Sequence, residues 1–139
     1  MEIITHSEEE TLAIGKEYGK SLKGGETIGL AGNLGAGKTV FIKGLTLGLG
    51  VKRNITSPTF VVMNVYPLKG KIRTLAHIDA YRLRGGKDLK AIGVEDYLDD
   101  REAVTVIEWA NKVKSILPKN TKLIKIEILP DGKRKISFS

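Results

Sequence analysis

Cysteine is missing from the chain, which excludes a disulfide framework and a Cys-ligated zinc site and leaves the redox compartment open. No apolar run approaches the roughly 20 residues that span a bilayer. The opening Met1-Glu2-Ile3-Ile4-Thr5 also lacks the charge and apolar stretch of a signal peptide, so the expected location is cytoplasmic, with no membrane partner. No block of five like charges occurs, nor a basic stripe interleaved with aromatics of the kind single-strand binders use. Most lysines and arginines therefore read as a solvated surface. The formal charge of +7 steers the chain toward anionic partners, nucleic acid or an acidic protein face, without conferring specificity. Repeats, linkers and low-complexity segments are missing too. At 139 residues the expectation is one domain over 1–139, too small to carry the modules of a large motor or transporter ATPase.

Against these absences stands one complete pattern. Gly32-Asn33-Leu34-Gly35-Ala36-Gly37-Lys38-Thr39 is a G-x-x-x-x-G-K-[ST] phosphate loop. Its glycines let the backbone curl so that successive N–H groups point at a polyphosphate. Lys38 neutralises the β/γ-phosphates, and the Thr39 hydroxyl is placed to ligate Mg²⁺. Context agrees: Glu26 to Ala31 reads as a short buried strand entering the loop, and Val40, Phe41, Leu45 and Leu49 give helical spacing after it.

Elsewhere the pattern predicts a first strand over 1–6 and a helix opened by Ser7 and Glu10 at capping-box spacing and stopped by Gly24-Gly25. The loop helix should run to about Leu49, with Gly50 as its stop. Asn54 to Thr59 reads as an exposed, functional loop in which Pro58 forbids a helix. A hairpin of Phe60–Tyr66 and Ile72–Asp79 follows, then short helical pieces over Lys87–Ile92 and Val94–Leu98, and a central strand at Ala103–Glu108. Asn111–Leu117 suggests a short helix. Ile124, Ile126 and Ile128 alternate with polar residues as in a half-buried strand, and Arg134–Phe138 is expected to close a hairpin at the sheet edge, its charges guarding that edge. Strands alternating with helices around a phosphate loop predict an α/β chain, a three-layer P-loop NTPase fold with a mixed central sheet and its site at the strand carboxyl ends.

A phosphate loop holds a nucleotide; hydrolysis also needs a fixed metal and a positioned water. Asp79 and Glu108 each end an apolar strand and are the natural suppliers, with Thr39, of the few oxygen ligands Mg²⁺ takes from protein. Thr59 is either a sensor hydroxyl on a movable loop or a turn threonine. His77 faces away from its neighbour Ile78 and reads as structural, whereas Trp109 is placed equally well over the site or in the core. Arg82 suits charge neutralisation in the site, a partner face, or a surface ion pair. Asn111-Lys112-Val113-Lys114 has lysine where guanine recognition wants aspartate, so ATP is the expected nucleotide.

With these residues in hand, the chain resembles the TsaE (YjeE) family, small P-loop ATPases of bacterial tRNA threonylcarbamoyladenosine synthesis. The likeness rests on the phosphate loop, on Ser57-Pro58-Thr59-Phe60, on His77-Ile78-Asp79-Ala80-Tyr81-Arg82-Leu83 and on Glu108-Trp109, in the family's order and at about its spacing. It implies an ATPase that uses ATP and Mg²⁺ and works with the TsaB and TsaD proteins, which transfer a threonylcarbamoyl group to the adenosine beside the anticodon; tRNA itself would be met indirectly or weakly. It implies that Lys38 and Thr39 serve phosphate and Mg²⁺ and that Asp79 and Glu108 complete the metal and water site. Residues 57–60, with Thr59, would act as a switch. It further implies nucleotide contacts from Asn33, Leu34, Gly35, Ala36, Gly37 and Val40, and from Glu8, Thr11 and Arg134. Departures are Asn33 for the usual aspartate, Val40 for a second hydroxyl residue, and Ala110 after the tryptophan. Two other functions share the loop: a small-molecule kinase, and a nucleotide-gated binding module without significant catalysis.

Overall fold

The computed structural model describes residues 1–32, 37–51, 63–81, 83 and 85–139. Seven strands form one sheet in the order β1-β7-β6-β2-β5-β4-β3: β1 (Glu2–Thr5), β2 (Thr27–Ala31), β3 (Met63–Pro67), β4 (Thr74–Asp79), β5 (Ala103–Glu108), β6 (Lys122–Ile128) and β7 (Arg134–Phe138). The inner strands β6, β2, β5 and β4 run parallel, while β3 adds antiparallel to β4 and the β6–β7 hairpin and β1 continue the sheet antiparallel on the other side. The sheet is thus mixed, as expected, with β2 at its centre and β5 beside it.

Alternation along each strand splits the core in two. On one face Ile28, Leu30, Val104, Val106, Ile124, Ile126 and Ile136 pack with Phe41 and Leu45 of α2 (Lys38–Gly48), flanked by α1 (Glu8–Ser21). On the other, Ile78 and Ile107 pack with Leu89 of α3 (Gly86–Ala91), with Val94 just before α4 (Glu95–Leu98), and with Ala110 and Val113. Helical elements thus cover both faces of the sheet. None of the described helices is long and apolar enough to cross a membrane.

Two expectations need correction. β7 does close a hairpin with β6, yet it is not the edge: β1 pairs beyond it, with Ile3 opposite Ile136 and the Phe138 N–H donating to Met1 O at 2.9 Å. The Lys135–Glu2 ion pair, 2.9 Å, sits across that added pairing. The stretch after Trp109 is not one α-helix but two 3₁₀ turns, Ala110–Lys112 and Lys114–Ile116. A buried Val113 at φ −126° interrupts them, a backbone angle that no helical ladder accommodates.

The cap of α1 differs slightly from the expected box. Ser7 Oγ accepts from the Glu10 N–H at 3.1 Å, but the Glu10 carboxylate reaches back one residue further and accepts from the His6 N–H at 2.6 Å. Parallel packing of α1 against α2 is then set by glycines on both helices. A Cβ at Gly15 or Gly19 would strike the carbonyls of Phe41 or Leu45, and one at Gly44 or Gly48 those of Leu12 or Lys16. Only with four bare positions do the two helices lie this close, with their N-termini at the same end of the sheet. Gly44→Ala must push α1 off α2, because the obstacle is backbone. An overpacking cost of about 1–3 kcal/mol follows, read as a melting temperature lower by roughly 3–12 °C in thermal denaturation.

Candidate functional site

Where β2 ends, Gly32 carries the chain out of the sheet, and α2 begins after Gly37. Gly37 has φ 92°, the left-handed region that an L side chain avoids, and a Cβ there would also press on the Arg134 side chain. The two helix starts at this end of the sheet are electrically opposite. That of α1 is capped by Ser7 and followed by Glu8, Glu9 and Glu10. That of α2 has no acid in its first turn and, among the described residues, no side-chain cap, so the positive end of its dipole favours an anion.

Lys38, the first residue of α2, is 5% exposed, and its Nζ has no hydrogen-bond partner among the described residues. Its ammonium lies 3.6 Å from the centroid of the Trp109 ring. That contact is attractive but replaces no hydrogen bond. Burial pushes the Lys38 ammonium below the usual lysine range, and the negative charges of Glu108 and Asp79 only partly oppose it. A buried cation without an acceptor among the described residues is matched in charge and hydrogen-bonding capacity by an oxyanion.

The two acids come from neighbouring strands in exact register, Asp79 opposite Glu108, with Leu30 of β2 on the far side of Glu108. Period-two alternation turns His77, Asp79 and Glu108 toward the α2 face. Glu108 is 5% exposed, and its Oε2 lies 2.9 Å from His77 Nε2. Asp79 is half-buried; its Oδ1 accepts from the Tyr81 N–H at 3.0 Å, which ties the carboxylate to the turn after β4. Trp109 then takes φ 60° and ψ 40°, unusual for a bulky residue, and its ring meets that of Tyr81 at 5.0 Å and 53°. Strain of this kind gathers at functional sites. Here the left-handed turn brings the indole under Lys38.

These groups surround a cavity of about 600 Å³. Gly37, Lys38, Thr39 and Val40 line it from α2; Glu8 and Thr11 from α1; Asp79 and Glu108 from the strand ends; and Arg134 from the start of β7. Arg134 is steadied by Nη1 donating to Gly132 O at 2.6 Å, and Thr11 by a hydroxyl pair with Thr5, 2.7 Å. Every expected site residue that is described therefore opens onto one cavity. Asn33, Leu34, Gly35, Ala36, residues 57–60 with Thr59, and Arg82 lie outside the described residues. Sequence reasoning left Trp109 undecided, and the structure brings it to the cavity with Tyr81. His6 and Ser7 also line it, although the pattern read them only as a strand end and a cap.

A parallel-centred sheet layered by helices, with a phosphate-loop helix starting at its carboxyl edge, defines an α/β protein of the P-loop NTPase fold. Comparison with known proteins narrows this. The profile of the family described as "Threonylcarbamoyl adenosine biosynthesis protein TsaE" matches residues 5–136. The tRNA threonylcarbamoyladenosine biosynthesis protein TsaE of Treponema pallidum is 42% identical over 139 residues, covering 100% of both chains. Its Bacillus subtilis namesake is 36% identical over 135 residues, covering 97% of this chain and 82% of that one. The crystal structure of Bacillus subtilis YdiB superposes with a TM-score of 0.83 at 33% identity, covering 99% of this chain and 83% of the other. The chain belongs to the TsaE family of tRNA threonylcarbamoyladenosine biosynthesis.

Proposed function

We propose that this chain is a Mg²⁺-dependent ATPase that serves threonylcarbamoyladenosine formation on tRNA in the cytoplasm, together with TsaB and TsaD. The observation that carries this reading is the buried Lys38 ammonium, without an acceptor among the described residues, set at the start of α2, which has no acid in its first turn. A triphosphate supplies what that corner lacks: oxygens for Lys38 and for the leading amides of α2.

The donor set also fits Mg²⁺. Thr39, Asp79 and Glu108 offer hard oxygens, and Mg²⁺ is typically held by one or two carboxylates plus substrate phosphates. Two carboxylates beside a polyphosphate repel it, and a divalent cation held by Thr39, Asp79 and Glu108 would offset that repulsion. When bound, Mg²⁺ would supply positive charge against the negative charge that builds on the phosphates during phosphoryl transfer. Lys38 holds the β/γ-phosphates, Glu108 or Asp79 orients the attacking water, and Glu8, Thr11 and Arg134 enclose the rest of the nucleotide. Thr59, with Ser57, Pro58 and Phe60, is assigned to the switch that reports the γ-phosphate. Contact with tRNA is taken to be indirect or weak.

Among the described residues between Tyr81 and Leu98 stand a six-residue and a four-residue helix, which make a poor lid for a small-molecule kinase. Turnover separates the readings. Inorganic phosphate release from ATP should be slow for the chain alone and rise at least about tenfold when TsaB and TsaD are added. Phosphate transferred to a metabolite instead would favour a kinase, and ATP-dependent binding with no hydrolysis in the full assembly would favour a nucleotide-gated module.

A further inference from the structure

His77 has no role in the reading above, yet its place is costly. It is 1% exposed in the middle of β4, and its Nδ1 has no hydrogen-bond partner among the described residues. A buried polar atom left unsatisfied destabilises the fold, a penalty that leucine or phenylalanine at the same position would not incur. The return on that cost is a single bond. Nε2 lies 2.9 Å from Glu108 Oε2, with both side chains almost wholly buried. A carboxylate can only accept, so the Nε2–H donates in either charge state of the ring. The pair reaches diagonally across β4 and β5, from His77, which is registered with Val106, to the acid two residues further along.

We propose that His77 is a positioning residue for Glu108: its Nε2–H fixes one carboxylate oxygen, Oε2, so that Oε1 is the oxygen presented to the metal and water of the site. A glutamate has three side-chain torsions, and one buried donor removes most of the freedom at its end. The principle is that by which a hydrogen bond to a ligating or basic group sets its orientation. The assignment rests on the proposed hydrolysis of ATP. It adds that Glu108 acts through one particular oxygen and that β4 supplies both an acid, Asp79, and the clamp for the other acid.

The test compares His77→Leu with His77→Gln, whose side-chain amide can still donate to the carboxylate. Partner-stimulated kcat should fall about 10- to 100-fold in the leucine variant and return to within about fivefold of the parent in the glutamine variant. Calorimetric affinity for metal-free ADP should stay within about threefold in both. Thermal denaturation should find the leucine variant folded but melting below the glutamine variant: it removes the unsatisfied Nδ1, yet it also leaves the buried Glu108 carboxylate without its donor. Parental kcat in His77→Leu, or a glutamine variant as slow as the leucine one, would overturn the proposal. A parent chain that binds Mg-ADP but releases no phosphate with its partners would instead contradict hydrolysis alone. The Mg²⁺ affinity of the ADP complex then decides on His77: at least about tenfold weaker in the leucine variant and restored by glutamine supports the clamp, and equal affinity in all three contradicts it.

Discussion

Lys38→Met gives a protein that melts at a higher temperature and binds nucleotide far more weakly. The methionine keeps the length of the apolar stem but removes an ammonium that is buried without an acceptor among the described residues. Relief of such a group is worth about 1–3 kcal/mol, or roughly 3–12 °C in melting temperature for the nucleotide-free protein. Methionine also fills the space against Trp109 well, since a thioether packs favourably on an aromatic ring.

The pH dependence of this gain follows from the direction of the shift. Burial lowers the Lys38 pKa in the folded chain, so folding is penalised by the protonated form. The penalty is fully present below the folded value and disappears as pH rises through it toward the ordinary 10.5. The stability advantage of Lys38→Met is therefore largest at neutral pH and shrinks in alkaline solution. Nucleotide binding moves the other way. Truncating one partner of a buried, hydrogen-bonded charge pair costs about 2–5 kcal/mol, so affinity for Mg-ADP should weaken by about 30-fold to several-thousand-fold. A single substitution that stabilises the fold and disables the site marks a group kept for function.

Glu108→Gln has the second large effect and separates binding from chemistry. The amide is isosteric, and its oxygen still accepts the His77 Nε2–H, so the melting temperature should move little, by about 3 °C at most. With that oxygen held by His77, the amide NH2 takes the place of Oε1, and it is neither a metal ligand nor a base. Partner-stimulated phosphate release should fall by about 10²- to 10⁴-fold, the usual range for loss of a general base. Nucleotide affinity should change by less than about tenfold, because Lys38 and the α2 amides remain. Single-turnover kinetics with bound ATP distinguishes a slowed chemical step from slowed product release.

The residues that are legible in sequence are those whose function forces a local pattern. The phosphate loop is contiguous, and Lys38 and Thr39 are identified by their offset from Gly32 and Gly37 alone. Asp79 and Glu108 are found because each ends an apolar run, and the parallel sheet then sets them side by side. What escapes is whatever depends on distant segments meeting. The His77–Glu108 bond exists only once β4 and β5 adopt their register, and nothing within either strand states that register. His77 does face away from Ile78, but the consequence lies 31 residues further on. Similarly, β1 covers β7 across nearly the whole chain length, so β7 looked like an edge from its own charges.

Closure of the cavity by Glu8 and Thr11 has the same origin. It follows from glycines on α1 and α2 that let the helices meet backbone to backbone, and each glycine taken singly reads only as a weak helix position. Trp109 was undecided because its left-handed backbone, which turns the indole under Lys38, is a property no sequence pattern announces for tryptophan.

The central claim is that Lys38 and the start of α2 form an unfinished anion site completed by a nucleotide polyphosphate. Isothermal titration of Mg-ADP into the protein and into Lys38→Met tests it most directly. One nucleotide per chain should bind the parent with a dissociation constant below about 1 mM, and Lys38→Met, although folded, should bind it at least about 30-fold more weakly. No heat with the parent at millimolar ligand, or equal binding by both proteins, would contradict the account.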